Sequence, residues 1–400
     1  MSALVTPGNL RSALAVTRSL GLRGIQVTVA DERQRNMAGV SRHCQASIRV
    51  PSPTRQGELY LSAIHQAACR GLCRVVIPTD DITLSLLAKA RPRFEGLAAL
   101  PIPDLEAIQV VHDKGALMSL AEQQDIPTPK TVIVSGAADL NAAIRRVGLP
   151  AVVKSRYSRF QRGSQWIDGS GTRYVHTVEE LEAACREIHR TVPFPLVQEY
   201  VPGEGRGVFL LMRHGELRAA FAHRRIREKP PSGGVSVLSE SVPLDSDLLE
   251  YSQRLLEAVK WHGVAMVEFK NDIRDGKAKL LEVNGRFWGS LQLAVDAGVD
   301  FPYLLYRLAV DGDVPPVFSY KEGVRLRWWL GDLDWLFLRL RAPGDIRGCF
   351  RAIGDFVKSP GRTARAEVFR WHDPHPGMQE LWQYLAHLVG SIRRGAFGSP

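Results

Sequence analysis

One stretch, residues 264–290, constrains the fold and the function of this chain more than any other. It reads VAMVEFKNDIRDGKAKLLEVNGRFWGS and holds two apolar runs, each built around one acid, Glu268 or Glu282. Asp275-Gly276 lies between the runs, and Asp-Gly is a strong signal for a tight β-hairpin turn. A hairpin centred near Asp275 places Glu268 opposite or nearly opposite Glu282, with their Cβ atoms about 4.5–5.5 Å apart.

Two carboxylates this close in apolar strands repel each other and resist burial, so we expect a cation between them. Asn284 follows Glu282 by two residues, and the strand period of two places its side chain on the same face. Two carboxylates and an amide supply the oxygen ligands that suit Mg²⁺ beside substrate phosphates, with Mn²⁺ as a second choice. The sequence therefore predicts a metal site at Glu268, Glu282 and Asn284. The alternative is two acids on the solvent face of a half-exposed hairpin.

Composition bounds the class of protein. The chain has 400 residues, of which 45% are hydrophobic, which indicates roughly two or three domains with real cores. No run approaches the roughly 20 apolar residues that span a bilayer, and the N-terminus has no signal-peptide pattern. The five cysteines are an odd number without CxxC spacing, which favours buried thiols in a reducing compartment. We therefore expect a cytoplasmic protein.

The formal charge of +10 indicates an anionic partner: nucleic acid, a membrane surface or a polyanionic substrate such as a nucleoside triphosphate. Residues 321–400 carry 13 Lys and Arg against 8 Asp and Glu, so half of the excess lies there. The same segment holds five of the eight tryptophans, Trp328, Trp329, Trp335, Trp371 and Trp382. Two interpretations stay open. Either the aromatic residues pack the segment onto the core, which we favour, or the segment lies on a membrane or binds nucleic acid.

Strands alternate with helices over the first 90 residues, which predicts a parallel sheet with helices on both faces. The first turn, residues 7–10, has one glycine and no GxGxxG, so we expect a Rossmann-like scaffold that binds no dinucleotide. Thr79-Asp80-Asp81 follows a strand of this sheet. It either touches substrate or caps the next helix.

A lysine, Lys154, ends the apolar strand 150–154, and a loop rich in Ser, Arg and Gly follows over residues 155–171. A lysine beside a flexible cationic loop is typical of a phosphate-binding site, because glycines let backbone N–H groups approach the oxygens. The length of the loop favours a functional lid. For Lys154 alone, a lysine that extends from a strand end into solvent is an equal alternative.

Taken together, these residues resemble a known superfamily. Lys114, Lys154, the hinge Gln198-Glu199-Tyr200-Val201, Glu268, Glu282-Val283-Asn284 and Arg286 occur in the order typical of ATP-grasp enzymes. The resemblance covers roughly residues 2–312. It is strongest to carboxylate–amine ligases related to carbamoyl-phosphate synthase and D-alanine–D-alanine ligase, through residues 282–290 (EVNGRFWGS) and 223–234 (HRRIREKPPSGG).

The resemblance implies an α/β and α+β architecture in three parts. Residues 1–112 would form a Rossmann-like pre-ATP-grasp domain. Residues 113–312 would form the two-subdomain ATP-grasp fold, with a lid subdomain at about 131–200. Residues 313–400 would form a basic, Trp-rich and mainly helical C-terminal extension.

It also implies the cofactors ATP and Mg²⁺ and a role for each site residue. Glu268, Glu282 and Asn284 would hold the metal. Lys114 and Lys154 would hold phosphates, and the hinge Gln198–Val201 would bind adenine through the backbone of Glu199 and Val201, with Tyr200 packing nearby. Glu204 is the candidate for the ribose hydroxyls, with Gly205 as the other residue at that position.

Arginines complete the implied catalytic set. Arg286 and one of Arg224 or Arg225 would stabilise the transferred phosphoryl group. Ligases of the D-alanine type carry an arginine two residues before the first metal acid, and here that residue is Met266. Either the stabilising arginine comes from elsewhere in this chain, or the activity is weaker than in these relatives.

The implied reaction is the ATP-dependent activation of a carboxylate as an acyl phosphate, followed by its joining to an amine. The partners would be a small carboxylic acid and an amine such as an amino acid or peptide, without nucleic acid. The resemblance also allows a homodimer, and the basic, Trp-bearing composition of the C-terminal segment allows its peripheral contact with a membrane. The alternatives are a bicarbonate-phosphorylating carboxylase, a nicotinamide-dependent oxidoreductase, and a non-catalytic ATP-binding or membrane-associated module.

Overall fold

The computed structural model describes residues 1–163, 165–169, 171–231, 233–341, 346–358 and 364–393. The first part of the chain forms a parallel sheet in the order β3-β2-β1-β4 with helices around it, as the alternating pattern predicted. Its elements are β1 (Ser2–Thr6), α1 (Arg11–Leu22), β2 (Gln26–Asp31), β3 (Ala46–Arg49), α2 (Gly57–Cys69), β4 (Val75–Pro78), α3 (Asp81–Lys89) and α4 (Leu105–His112). The Asp80 side chain accepts a 2.8 Å hydrogen bond from the Thr83 amide, so Asp80 caps α3.

A second sheet is antiparallel, in the order β5-β10-β6-β9, and has a separate core around Ala143, Val153 and Leu181. The elements of this region are α5 (Lys114–Gln123), β5 (Thr131–Ile133), α6 (Ala137–Arg146), β6 (Ala151–Lys154), β7 (Arg159–Arg162), β8 (Gln165–Asp168), β9 (Thr172–Val175), α7 (Val178–Thr191) and β10 (Leu196–Glu199).

The stretch 155–171, which the sequence predicted as a loop without strands, contains a β-hairpin, and that prediction was wrong. Strands β7 and β8 pair in antiparallel fashion from Arg159↔Asp168 to Arg162↔Gln165. The two strands hold only three apolar residues, Phe160, Trp166 and Ile167, and the last two are adjacent, so no alternation of apolar and polar residues marks the hairpin in the sequence.

The third sheet is the largest, with the order β15-β14-β11-β12-β13-β16-β17. Its strands and flanking helices are β11 (Gly203–Arg213), β12 (Glu216–Lys229), β13 (Val235–Ser241), α8 (Ser246–Ala258), β14 (Gly263–Asp272), β15 (Ala278–Asn284), α9 (Leu291–Ala297), α10 (Phe301–Asp311), β16 (Arg325–Arg327), α11 (Trp329–Leu340), α12 (Ile346–Lys358), β17 (Ala364–Ala366) and α13 (His375–Arg393).

Both faces of this sheet are buried, which follows from the continuous apolar run 208–212 in β11. Val208 and Leu210 pack into one core, and Phe209 and Leu211 pack into another. Each of these two cores also contains buried residues from the first sheet, for example Leu4 in one and Val5 in the other. The first and third sheets are therefore fixed to each other, and the site described below lies where their elements meet.

Residues 313–400 are mainly helical, as predicted, with the helices α11, α12 and α13 and two strands of three residues each, but they are joined to the fold rather than lying beside it. Their strands β16 and β17 enlarge the third sheet, and Arg18 of α1 binds Asp373 with both side chains nearly inaccessible. The aromatic residues divide: Trp335 is buried, whereas Trp371 and Trp382 are 89% and 70% exposed. No helix in the described residues is long and apolar enough to cross a membrane.

Candidate active site

Glu268 and Glu282 lie directly opposite each other on β14 and β15, so the predicted pairing is confirmed. A shift of register follows Glu268 and brings Phe269 opposite Leu280. The Asn284 side chain lies beside both acids, and its Nδ2 donates to Oε1 of Glu268 at 3.2 Å and to Oε1 of Glu282 at 3.4 Å. All three residues line a cavity of about 720 Å³, a volume usual for small-molecule sites.

The two acids are held in different electrostatic states. Burial raises the pKa of Glu268, and the nearby Glu282 adds to this, while Arg225 opposes it. Burial would also raise the pKa of Glu282, but Lys114 and Lys154 hold it below its usual value. Two partly buried carboxylates this close are a donor set that fits Mg²⁺, because a divalent cation would relieve their mutual repulsion, and Asn284 would add its Oδ1 once its amide group is turned over.

Two lysines approach this pair from the second sheet. Lys154 ends β6 and lines the cavity, and burial lowers its pKa to about 8. Lys114 begins α5, and its Nζ donates to Oγ of Ser158 at 2.7 Å in a smaller adjoining pocket that Glu282 also lines. The Asp113 carboxylate caps α5 and binds Arg156 at 2.7 and 2.6 Å. Sequence reasoning missed this bond, which anchors the segment after Lys154.

The hinge residues Gln198, Glu199, Tyr200 and Val201 all line the cavity. The amide N–H of Glu199 donates to the Lys130 carbonyl at 2.8 Å, so it is not available to a ligand. Of the backbone groups expected to meet adenine, the Glu199 carbonyl and the Val201 amide remain. The Gln198 side chain points into the fold, where Nε2 donates to Oγ1 of Thr131 at 2.9 Å.

A cation that the sequence did not single out, Lys270, also lies at the hinge end. Its Nζ is 5.6 Å from the centre of the Tyr200 ring, and Tyr174 meets the same ring edge-on. Lys270 and Tyr174 both line the cavity. The strand alternation around Glu268 could have found Lys270, since the two residues share a face of β14.

Arg224 and Arg225 point to opposite faces of β12, and this difference shows which of the two can contact a ligand in the cavity. Arg225 lines the cavity and pairs with Glu268 and with Glu228. Arg224 binds Glu240 through two nitrogens at 2.9 and 2.6 Å and does not contribute to the cavity lining that the structure describes. The inclusion of Arg224 among the candidates is therefore not supported by its position.

Glu204, like Arg224, lies on the face of the third sheet that points away from the cavity. It lies 3.1 Å from Arg206 and 3.9 Å from Arg224. Among the described residues the cavity is lined here by Gly203 and Gly205 instead. The side chain expected at the ribose hydroxyls thus points away from the cavity, because the glycines occupy the cavity side of the alternating strand.

Arg286 joins the metal pair to the first sheet. Its Nε lies 3.3 Å from Oδ1 of Asp81, and its NH2 donates to Oδ1 of Asn284 at 3.3 Å. Burial would lower the pKa of Arg286, but Asp81 and Glu282 raise it. Beyond Arg286, Ser290 and His223 line the cavity with their polar atoms 3.2 Å apart. Burial lowers the pKa of His223 to about 3, so this ring is neutral.

Comparisons with known proteins agree with this fold. Residues 191–331 match the family model described as "ATP-grasp in the biosynthetic pathway with Ter operon". The chain is 30% identical over 192 residues to N5-carboxyaminoimidazole ribonucleotide synthase of Pseudomonas aeruginosa, covering 47% of this chain and 49% of the relative. It is 30% identical over 220 residues to D-alanine–D-alanine ligase of Chromohalobacter salexigens, covering 49% of this chain and 63% of the relative.

Among solved structures, the biotin carboxylase domain of the Hydrogenobacter thermophilus 2-oxoglutarate carboxylase shares the fold. The TM-score is 0.63 at 17% identity, over 81% of this chain and 73% of that one. These comparisons show that residues 191–331 are similar to ATP-grasp domains. It spans about half of the synthase and less than two thirds of the ligase.

Proposed function

We propose that this protein is a Mg²⁺-dependent ligase that uses ATP to activate a carboxylate as an acyl phosphate and joins it to an amine. The observation that carries the proposal is the pair Glu268 and Glu282, facing each other with Asn284 between them at the wall of a cavity that also receives Lys154, Arg225 and Arg286. Acids, lysine and arginines together match the charges of a nucleoside triphosphate and its transferred group.

The residues divide the work along the cavity. The hinge at Tyr200 and Val201 would receive the adenine, and Lys154 would bind phosphate oxygens as a point charge. Glu268, Glu282 and Asn284 would hold Mg²⁺, which when bound supplies charge neutralisation at the phosphates. Lys114, which shares its small pocket with Glu282 and Asn284, would contribute a second cation on the same side.

Arg225 and Arg286 would stabilise the charge that develops during phosphoryl transfer. A carboxylate oxygen of the substrate attacks the γ-phosphorus while the bond to the β-phosphate oxygen breaks, which yields an acyl phosphate and ADP. The amine nitrogen then attacks the acyl carbon, phosphate leaves, and the nitrogen loses a proton. Both arginines are only partly exposed and are paired with carboxylates, which raise the pKa of each, so their charged donors stay in place for these steps.

Domain boundaries follow from the same proposal. Residues 1–112 would supply the substrate-facing edge of the first sheet through Asp81, and residues 113–312 would bind the nucleotide, with about 131–200 acting as the lid. The hairpin β7–β8 is the part of the lid that contacts the first domain, where Lys89 donates to Gln161 at 2.7 Å. Residues 313–400 would form part of the same body, because they extend the third sheet.

Carboxylation is the second candidate, because a carboxylase domain shares the fold and one curated relative is the synthase of a carboxyamino compound. Both reactions begin with phosphorylation of a carboxylate or bicarbonate. They differ in the acid that is phosphorylated, since a bicarbonate-dependent reaction needs no organic acid.

The test is ADP release by purified protein with Mg²⁺ and ATP, screened against pairs of small carboxylic acids and amino acids, and against bicarbonate with each amine. The ligase proposal predicts ADP release that needs both an organic acid and an amine, with an amide as product. Release that needs bicarbonate and no other acid would assign the carboxylase reaction instead.

Glu282→Gln should remove this activity, because the amide loses the charge that a metal requires. Asp275→Asn is the matched control: it removes a carboxylate from the turn of the same hairpin, where Oδ1 accepts from the Lys277 amide, Oδ2 lies 3.8 Å from Nζ of Lys279, and the residue lies outside the described cavity lining. If Glu282→Gln left ADP release unchanged with every active pair, the ligase proposal would be wrong.

A further inference from the structure

A third arginine, Arg11, reaches the cavity from the first sheet, and none of the roles proposed above uses it. It is the first residue of α1, directly after the turn that follows β1. Its guanidinium carbon lies 3.9 Å from the centre of the Trp328 ring. On another side, NH2 lies only 2.7 Å from the place that a Cβ would occupy on Gly289. The side chain is thus held in one position by an aromatic ring and a glycine backbone.

Most hydrogen-bond donors of Arg11 have no partner among the residues that the structure describes. NH1 donates to Oε2 of Glu367, which follows β17, and the described residues offer the guanidinium no other hydrogen bond. An arginine carries five N–H donors in a planar fork. Arg11 lines the same cavity as Glu282 and Arg286, so its remaining donors are available to a ligand there.

Arg18 shows what a purely structural arginine looks like on the same helix. It lies two turns after Arg11, on the same side. Its guanidinium makes four hydrogen bonds to the C-terminal segment: to Oδ2 and the carbonyl of Asp373 and to the carbonyls of Glu367 and Val368, at 2.8 to 3.2 Å. Because Arg18 already fixes the segment to α1, that attachment does not depend on Arg11.

The position of Arg11 within the cavity identifies which substrate it can reach. After Asn284 the chain continues through Arg286 to Gly289 and Ser290, in the direction away from the hinge. Arg11 therefore lies at the end of the cavity opposite the hinge, beyond the metal pair. Arg225 is paired with acids of the cavity wall, and Arg286 with Asp81 beside it. The partner of Arg11, Glu367, does not belong to the described cavity lining.

We propose that Arg11, held by Trp328 and Glu367, is the core of an anion subsite that binds an oxyanionic group of a substrate, a carboxylate or a phosphate, that does not receive the phosphoryl group. A planar guanidinium stacked on an aromatic ring and facing a cavity suits such a group. The C-terminal segment thereby completes the substrate site. The proposal rests on the proposed function in one respect only, that the bound molecule is one of the two substrates.

Equilibrium binding tests the subsite without any turnover. Protein saturated with Mg²⁺ and ADP is titrated with succinate and with inorganic phosphate in a calorimeter. Arg11→Gln should weaken binding of at least one probe about tenfold or more, the usual effect of losing a charged donor pair. Arg23→Gln is the matched control, since Arg23 also stacks on a ring, Tyr303 at 4.0 Å, and pairs with Asp300, but lies outside the cavity lining.

Gly289→Ala is a second variant that keeps every charge. Its methyl group would displace NH2 of Arg11, which lies at the end of a flexible side chain, so it should weaken the same probe while thermal unfolding stays close to that of the unchanged protein. Equal affinities for the unchanged protein and Arg11→Gln would overturn the proposal, as would a failure of the unchanged protein to bind either probe.

Steady-state kinetics then identify the source of the anion. With an active acid and amine, Arg11→Gln should raise KM for the anion-bearing substrate about tenfold or more and change kcat little. If the bound anion belongs to the amine substrate, the carboxamide derivative of that amine should have the same KM with the unchanged protein and with Arg11→Gln. If the anion belongs to the acid substrate, an analogue of that acid with a single carboxyl group should have the same KM with both proteins. A difference that persists with both analogues would contradict the subsite. Absence of ADP release with every pair would contradict the ligase proposal alone, because the binding comparison needs no turnover.

Discussion

Arg225 forms an ion pair with Glu268 across β11, the strand that lies between their own strands. The pair can form because β11 has glycines on this face. Gly207 lies opposite Glu268 on one side and opposite His223 on the other, and Gly205 is the next residue on that face. Without side chains there, the arginine extends over the backbone of β11 to the metal pair. A local sequence feature, alternating glycines, thus sets the distance between a catalytic candidate and a metal candidate.

Arg225→Met should therefore lower kcat for ADP formation by about 100- to 1,000-fold, the usual effect of removing one donor to a developing negative charge. The KM for ATP should change much less, because other cations bind the nucleotide. Arg224→Met is the control on the opposite face of β12. Its kcat should stay within a few-fold of the unchanged protein, since Arg224 binds Glu240 and does not line the cavity. A larger loss in Arg224→Met than in Arg225→Met would contradict this assignment.

The protonation state of Lys154 should make the affinity for nucleotide depend on pH. Burial lowers its pKa to about 8, so the free protein loses this positive charge as the pH rises through about 8. Phosphate oxygens favour the charged form, so ADP should bind progressively more weakly between about pH 8 and pH 9.5. Lys154→Arg keeps its charge across this range, and its affinity, measured by calorimetry in the same buffers, should decline less. Parallel pH profiles for the two proteins would argue against Lys154 as a phosphate ligand.

The metal pair could be predicted from sequence because every signal for it is local. The Asp275-Gly276 turn sets the hairpin, and the strand period of two then places Glu268, Glu282 and Asn284 on one face. Lys154 follows from the same logic, as a cation at the end of an apolar strand. These residues depend only on their own strands and on one tight turn.

Other parts of the site depend on register and tertiary contacts that no local pattern contains. The choice between Arg225 and Arg224 needs the register of β12, which shifts beyond Arg225 where it pairs with β13. Arg11 enters the cavity because α1 packs against residues far along the chain. Strands β16 and β17 have three residues each, and their partners are distant in sequence, so no local pattern predicts which strands they pair with.

Removing the charge of Asp332 should lower the stability of the protein. This fully buried carboxylate binds two nearly inaccessible arginines, Arg227 at 2.7 and 2.6 Å and Arg327 at 2.6 Å, and so connects α11 to β12 and β16. Asp332→Asn would leave two guanidinium groups buried without an anion, which should lower the free energy of unfolding by about 3–5 kcal/mol. Urea unfolding followed by tryptophan fluorescence measures this change.

Asp313→Asn is the surface control for that experiment. Asp313 pairs with Arg218 but is 47% exposed, and exposed pairs contribute only about 0–1 kcal/mol. Similar unfolding midpoints for Asp332→Asn and Asp313→Asn would show that the buried network does not hold the C-terminal segment in place.

Glu380 of α13 should make stability fall as pH rises from about 5 to about 7. Burial raises the pKa of this carboxyl to about 7, although the Trp328 indole N–H donates to it at 2.6 Å. The folded protein therefore holds a proton that the unfolded chain has already lost above its ordinary pKa near 4.5, and folding becomes less favourable as pH rises between the two values. Glu380→Gln keeps an acceptor for the indole N–H without the charge. At pH 8 it should be more stable than the unchanged protein by roughly 2–3 kcal/mol, and at pH 4.5 nearly equal to it. Thermal unfolding of both proteins across this range measures the difference, and a constant offset at every pH would mean that Glu380 does not titrate with folding.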